Sequence, residues 1–338
     1  DLETLEVTGN QSTVLPTMTV FSGGASQYGF SDNGTLIYAS EGQVGSGQGR
    51  LLAAVDMEGN ETLLPLPPGE LDAPRYSPDG SMIAYQDGTD IRIYNVITGA
   101  SPQFTSGGGM RPVWSPSGDY LYYTQSVGGP GLRRPPDGSE VATEVYRSGG
   151  QNFIRSVAPG DSLILVRRNG GSTGRDLVIS RMGSSEEEFE GYLTAQWNEG
   201  NAKFSPDGNW VAYESDESEQ FEVYVRPFPN VDEGRWQIST EGGNQPVWAR
   251  SGEELFFRNL DGALMGVPVE TGGTFTPGNA NVLVTEPYFT GDGVLWGRTY
   301  DASPDGQRFL VIKNENGDAD VDAPHIVLVQ NWSEELQN

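Results

Sequence analysis

Cysteine is absent from this chain of 338 residues, which removes disulfide staples, thiolate metal centres and cysteine nucleophiles together. Histidine occurs once, at His325, so a multi-histidine metal site is excluded. His325 follows Pro324 and opens an apolar stretch, a structural setting that leaves histidine-based catalysis without a candidate. Lysine is limited to Lys203 and Lys313. No apolar run approaches the roughly 18 residues needed to span a bilayer, and Asp1-Leu2-Glu3 does not read as a signal peptide. Helical periodicity is missing as well; only residues 332–336 read as a turn or two of helix. Together with the missing cysteine, this suits an extracytoplasmic bacterial protein, present here as a mature product or as a fragment.

What is abundant is negative charge. There are 47 Asp and Glu against 20 Lys and Arg, a net charge of −27. Such a field repels phosphate backbones and anionic lipid, which argues against nucleic acid and against a membrane surface as partners. Cationic partners, calcium or a salty environment fit it.

Turns are abundant too, with 46 glycines and 22 prolines. One turn returns seven times, at intervals averaging about 45 residues. Three copies are Ser77-Pro78-Asp79-Gly80, Ser205-Pro206-Asp207-Gly208 and Ser303-Pro304-Asp305-Gly306. Looser copies are Ser31-Asp32-Asn33-Gly34, Ser115-Pro116-Ser117-Gly118 and Ala249-Arg250-Ser251-Gly252, and a degenerate Ala158-Pro159-Gly160-Asp161 fills the remaining gap. Proline presets φ, aspartate caps the backbone of its own turn, and glycine takes the left-handed conformation without a Cβ penalty, so each copy reverses the chain.

An aromatic residue precedes five of these turns: Phe30, Tyr76, Trp114, Phe204 and Trp248. A compact apolar run follows most of them, such as Met82-Ile83-Ala84-Tyr85 or Trp210-Val211-Ala212-Tyr213. These runs are apolar on both alternating faces, which suits strands buried between neighbouring sheets, and they are read as the inner strands of blades. A third element, such as Val223-Tyr224-Val225 or Ile326-Val327-Leu328-Val329, and a weaker fourth, such as Trp236-Gln237-Ile238, complete the unit. The expectation is an all-β chain, one β-propeller domain over 1–338, with four-stranded antiparallel blades. Seven blades are expected, with motifs near 31, 77, 115, 158, 205, 249 and 303; six is the alternative, should the degenerate fourth module fail to form its own. The last module, 299–332, lacks an outer strand, and a segment near 13–20 is expected to supply it, so that N- and C-terminal strands close the ring.

The run Phe204-Ser205-Pro206-Asp207-Gly208-Asn209-Trp210-Val211-Ala212-Tyr213 resembles the repeats of TolB-like (WD-repeat-like) bacterial β-propellers. Phe221-Glu222-Val223-Tyr224-Val225-Arg226-Pro227-Phe228-Pro229, Gly234-Arg235-Trp236-Gln237-Ile238 and the ending Gln330-Asn331-Trp332 extend the resemblance. The chain looks like the C-terminal propeller region attached to many bacterial serine/threonine protein kinases of the eukaryotic type and found also in stand-alone exported proteins; the resemblance covers essentially the whole chain and is specific in about its last 140 residues. No kinase motif is present. The opening Leu5-Glu6-Val7-Thr8-Gly9 looks like an internal stretch of such proteins, so the chain is expected to be the terminal propeller of a longer one. The resemblance implies no catalytic residues.

The implied function is a non-enzymatic, extracytoplasmic module that binds a protein or other ligand on its ring faces or channel mouth, as a sensor or scaffold. A carboxylate-dependent hydrolase or lyase acting on polysaccharide or peptide is one alternative; a structural subunit of an extracellular assembly is the other. The repeated Asp79, Asp207 and Asp305 belong to turns and are structural. Within 314–322, Asp318, Asp320 and Asp322 alternate after Gly317, oxygen ligands that can wrap calcium, although the EF-hand pattern is incomplete. The insertion 128–140 puts Arg133 and Arg134 side by side on an acidic ring, a candidate contact for an anionic ligand or partner. Ser184-Ser185-Glu186-Glu187-Glu188 reads as a solvated loop, and the glycine-rich pieces at 45–49 and 107–109 open no helix that could hold a phosphate.

Overall fold

The computed structural model describes residues 28–30, 35–39, 49–147, 150–170, 174–182, 189–291, 297–315 and 326–330. They divide into two units, Gly49–Glu315 and the remainder, Asp1–Gln48 with Asn316–Asn338. The described residues are strands and turns, with Val231–Glu233 the one helical turn among them.

Gly49–Glu315 is a six-bladed β-propeller. Blade 1 is composite: Asp301–Ala302 and Arg308–Asn314 from the end of the unit pair in one antiparallel sheet with Arg50–Asp56 and Glu61–Leu63 from its beginning. Blade 2 is Leu71–Tyr76, Met82–Asp87 and Asp90–Asn95, and blade 3 is Met110–Trp114, Leu121–Thr124, Gly131–Arg134 and Thr143–Tyr146. Blade 4 comprises Asn152–Val157, Leu163–Gly170, Gly174–Arg181 and Glu190–Leu193. Blade 5 comprises Glu199–Phe204, Trp210–Ser215, Glu222–Pro227 and Trp236–Gln237. In blade 6, Asn244–Trp248, Glu254–Arg258 and Leu264–Glu270 are followed by Thr276–Pro277 and Asn281–Val284, both paired with the third strand.

The six predicted turns that fall in this unit form as the sequence dictates. In the three full copies the serine hydroxyl donates to the aspartate at 2.5–2.6 Å and accepts the backbone N–H of Met82, Trp210 or Arg308 at 2.9–3.0 Å. The aspartate also accepts the N–H two residues on. The turn glycines are left-handed, from φ 70° at Gly306 to 84° at Gly118. Successive turns nest: a Cβ on Gly80 would lie 3.3 Å from Pro304 of blade 1, and one on Gly208 would lie 3.1 Å from Pro159 of blade 4.

Alternation along the second strand of each blade divides its apolar residues between two junctions. Val211 and Tyr213 pack towards blade 4, while Ala212 between them packs towards blade 5's other neighbour, blade 6. Six buried clusters result, one per junction, and the cluster joining blades 6 and 1 sets Phe256 edge-on to Phe309 at 5.0 Å. The core is therefore continuous around the ring, which is what lets a chain of only 36% hydrophobic residues bury enough surface. The aromatic residue before the turn has a second task. Trp114 Nε1 donates to the Arg75 carbonyl of blade 2 at 3.1 Å, and Trp248 Nε1 to the Lys203 carbonyl of blade 5 at 3.0 Å. At two other junctions the backbone N–H of Tyr76 and of Phe204 donates to Asp301 and Ser156 of the preceding blade.

Three expectations are corrected. The ring has six blades, not seven, and not because the degenerate module fails: it forms blade 4. Instead the module near 31 builds a separate three-stranded sheet in the other unit, where Tyr28–Phe30 pairs with Thr35–Ala39 and that strand with Ile326–Gln330. The strand Ile326–Gln330, read as the third element of the last module, is thus used elsewhere, and residues 50–63 complete that blade; the segment 13–20, expected to supply its outer strand, lies outside the described residues. Finally, the apolar runs are the second strands of their blades. The innermost strands are the ones before the turns, and they are polar enough to have escaped notice.

Candidate functional site

Each innermost strand runs toward its turn, so residues at equal distance before the six turns form layers around the axis. Four of these strands carry a non-glycine residue in the left-handed region at the fourth position before the turn: Ala73 (φ 47°), Arg111 (54°), Asn201 (40°) and Gln245 (55°). At the same place the pairing register slips, between Asp72 and Arg75, Met110 and Val113, Gly200 and Lys203, and Asn244 and Val247. Blade 4 slips between Ile154 and Ser156. A bulge with an αL residue re-aims side chains, and repetition of this strained geometry marks a site the fold holds in place.

The bulges surround a small axial pocket lined by Arg75, Arg111, Val113, Ile154, Arg155, Asn201, Ala202 and Arg298. Four guanidiniums thus meet at the centre of a chain with net charge −27. Arg75, 7% exposed, donates to the carbonyls of Pro74 (2.7 Å), Arg298 (2.8 Å) and Tyr300 (3.4 Å). Arg298 donates Nε to the Tyr300 carbonyl at 3.1 Å and sets Nη2 3.1 Å from Asp301. Arg111 stacks over the Phe153 ring at 3.8 Å, and Arg167 lies 4.8 Å from the same ring. Arg155 donates Nη1 to Asn201 Oδ1 at 3.4 Å.

A polar relay continues from there around the ring. Asn201 Nδ2 donates to Glu214 at 2.9 Å, the other Glu214 oxygen accepts the Gln245 N–H at 2.8 Å, and Gln245 Oε1 accepts the Thr299 N–H at 2.8 Å. Burial pushes Glu214 up from the ordinary carboxylate range, against these hydrogen bonds and the field of Arg155. Burial, and then the like charge of Arg298, pushes Arg75 down to about 9; burial and Arg111 take Arg167 down to about 9. Both stay cationic at neutral pH. Burial drives Arg155 down as well, and its charged neighbours Arg111, Arg167 and Arg75 add to the effect against the single carboxylate of Glu214. Lys203, one layer nearer the turns, falls to about 7 through burial and the charge of Arg298.

The turn face is bridged across the axis. Arg250, in the turn of blade 6, donates Nη2 to the Pro116 carbonyl in the turn of the opposite blade 3 at 3.3 Å. Ser117 Oγ donates to Asp161 of blade 4 at 2.9 Å beside it. The pocket lies deeper along the strands than this bridge, toward the strand ends that bear the loops between second and third strands.

Arg133 and Arg134 are placed elsewhere. The stretch read as an insertion supplies the third strand of blade 3. There Arg133 stacks on Tyr120 at 4.5 Å and donates to the Tyr122 hydroxyl, while Arg134 stacks on Phe104 at 4.4 Å and donates to its carbonyl at 2.8 Å. Both side chains are half-buried against their own ring and are not brought together with the axial arginines. Asp318, Asp320, Asp322, His325 and the 184–188 run lie outside the described residues. Sequence reasoning missed the axial set, although a signal was present: Arg75, Arg111, Arg155, Lys203 and Arg298 each stand two to five residues before a turn motif.

No protein-family profile and no curated protein matches the chain. Among solved structures it is similar to TolB from Agrobacterium tumefaciens, with TM-score 0.65 at 15% identity over 80% of this chain and 99% of that one. TolB from Acinetobacter baumannii aligns with TM-score 0.52 at 14% identity, over 80% of this chain and 64% of that one. A chain of a nidogen/laminin complex aligns with TM-score 0.52 at 8% identity, over 70% of this chain and all of that one. The fold is that of the TolB β-propellers. No helix among the described residues is long and apolar enough to cross a membrane.

Proposed function

We propose, from the premise of a TolB-type propeller, that the chain is a non-enzymatic, extracytoplasmic binding module that engages a protein or other ligand at the channel mouth opposite its turn face. The observation that supports this reading is the lining of the axial pocket. Four guanidiniums supply hydrogen-bond donors held in place by bulges, whereas among the described residues the lining offers no carboxylate or hydroxyl placed to exchange a proton with a substrate. The bridge of Arg250 to Pro116 favours the opposite face for contact.

The test is partner capture with the full chain from extracts of the native envelope. Glu219→Lys and Asp261→Lys, exposed on loops of the mouth face, are expected to abolish specific capture; Asp119→Lys on the turn face is expected to preserve it. Equal capture by all three variants would remove the assignment of the face. Turnover in a screen of glycans and peptides, lost on changing one carboxylate at the mouth, would replace the binding reading with an enzymatic one.

A further inference from the structure

Among the described residues the charges at the axis do not balance, and the imbalance is concentrated on Arg155. Its charged neighbours are Arg75, Arg111 and Arg167 on one side of the account and Glu214 on the other. Glu214 is already engaged through both oxygens, by Asn201 and by the Gln245 N–H. The other carboxylates of this layer are occupied as well: Asp301 by Arg298 and the Tyr76 N–H, and Asp72 by the Ala73 N–H. Arg155 Nε is buried without a hydrogen-bond partner among the described residues. A guanidinium cannot shed its proton to escape such a setting. Three cations thus face Arg155 against the one carboxylate of Glu214, itself engaged elsewhere, which leaves the guanidinium short of counter-charge among the described residues, and such a shortage is expensive where the charge is withdrawn from water.

We propose that the axial pocket is a binding site for a small monovalent anion, either a halide or the head of a carboxylate, held chiefly by Arg155 with Arg111 and Arg298. Pocket size sets the class: the space between the guanidiniums admits on the order of one water, which favours a halide or a carboxylate head over sulfate or phosphate. The rigidity of the site favours a fixed ligand, since Arg111 is stacked on Phe153 and Arg155 is packed against Gly297, where a Cβ would lie 2.6 Å from Nη1. The protein's overall negative charge does not oppose this strongly, because surface charges more than about 10 Å away are screened at ordinary salt. The inference deepens the binding reading by naming the chemistry the pocket takes, and it is tested without any macromolecular partner, so the two can fail separately.

The experiment uses the full chain at constant ionic strength, with a bulky sulfonate as the reference anion replaced stepwise by chloride, formate, hexanoate or sulfate. Melting temperature is followed together with chloride NMR line width. Chloride and formate are expected to raise the melting temperature saturably, on the order of 2–4 °C, and formate to narrow a chloride line broadened by the protein; sulfate should do neither. Arg155→Gln is expected to abolish both effects and Arg155→Lys to retain part of them. Should Arg155→Gln not fold, the competition between formate and chloride on the unaltered protein decides alone. Hexanoate identifies the source: displacement of chloride by hexanoate assigns the site to a carboxylate on a larger ligand, and its failure where formate succeeds assigns it to free ions. Equal shifts from every anion, or effects that persist in Arg155→Gln, would overturn the proposal.

Discussion

Substituting Gly208 and Gly306 by alanine asks the same question of two turns that differ in one respect. Their φ values are 77° and 70°, so either alanine is forced into the left-handed region at about 1–2 kcal/mol, offset by about 0.4–1 kcal/mol from the stiffer unfolded chain. A Cβ at 306 meets nothing within 4 Å, whereas one at 208 lies 3.1 and 3.2 Å from the Pro159 ring of blade 4. Overpacking of that kind costs a further 1–3 kcal/mol or so. Gly306→Ala should therefore lose roughly 1 kcal/mol and Gly208→Ala roughly 2–4 kcal/mol, read from urea unfolding midpoints at unchanged slope. Adding Pro159→Ala to Gly208→Ala should recover most of the difference. Equal losses at the two glycines, or no recovery in the double variant, would refute the claim that consecutive turns pack on one another.

Glu199, 3% exposed at the start of the innermost strand of blade 5, is pushed up to about 8 by burial and then by Asp176. Its folded form holds a proton that the unfolded chain releases near the ordinary value of about 4.3. Its contribution to stability is accordingly present at low pH and lost as pH rises towards 8. Glu199→Gln should raise the melting temperature at pH 8 far more than at pH 5, and a shift independent of pH would contradict this. Lys203 runs the other way: depressed to about 7, it should let stability rise from pH 7 towards 10, a slope that Lys203→Met is expected to remove in the same titration. Trp248→Phe leaves the Lys203 carbonyl without its indole donor and should cost about 1–3 kcal/mol by urea unfolding; a loss below about 0.5 kcal/mol would show the contact to be idle.

Much of this architecture can be read from the chain because its turns are local. Serine, proline, aspartate and glycine within four residues determine the reversal wherever the sequence places them, and an aromatic residue before and an apolar run after are adjacent features. The count of blades could not be read the same way. It depends on which partner the strand Ile326–Gln330 selects, and a choice between Thr35–Ala39 and Arg308–Asn314 is a long-range one that no local pattern encodes. The pocket was harder still. Arg75 and Arg298 are separated by 223 residues yet share a hydrogen bond, and the bulges that aim the innermost strands carry ordinary residues such as Ala73 rather than a glycine. The conspicuous pair, Arg133 and Arg134, drew attention by adjacency, but alternation along a strand sends adjacent side chains to opposite faces, onto Tyr120 and Phe104.

Closure of the ring through blade 1 is what gives the axial pocket a complete wall, and the cysteine-free chain makes it directly measurable. Arg308 stands opposite Asp56 in the antiparallel register although 252 positions separate them, and directly opposed strand residues lie within disulfide range. The double variant Asp56→Cys with Arg308→Cys should form an intramolecular disulfide on mild oxidation of the folded protein, seen by mass and by mobility on a non-reducing gel, with no change in the fold. Free thiols persisting in the folded, oxidised protein, or only intermolecular dimers, would contradict the closed six-bladed ring.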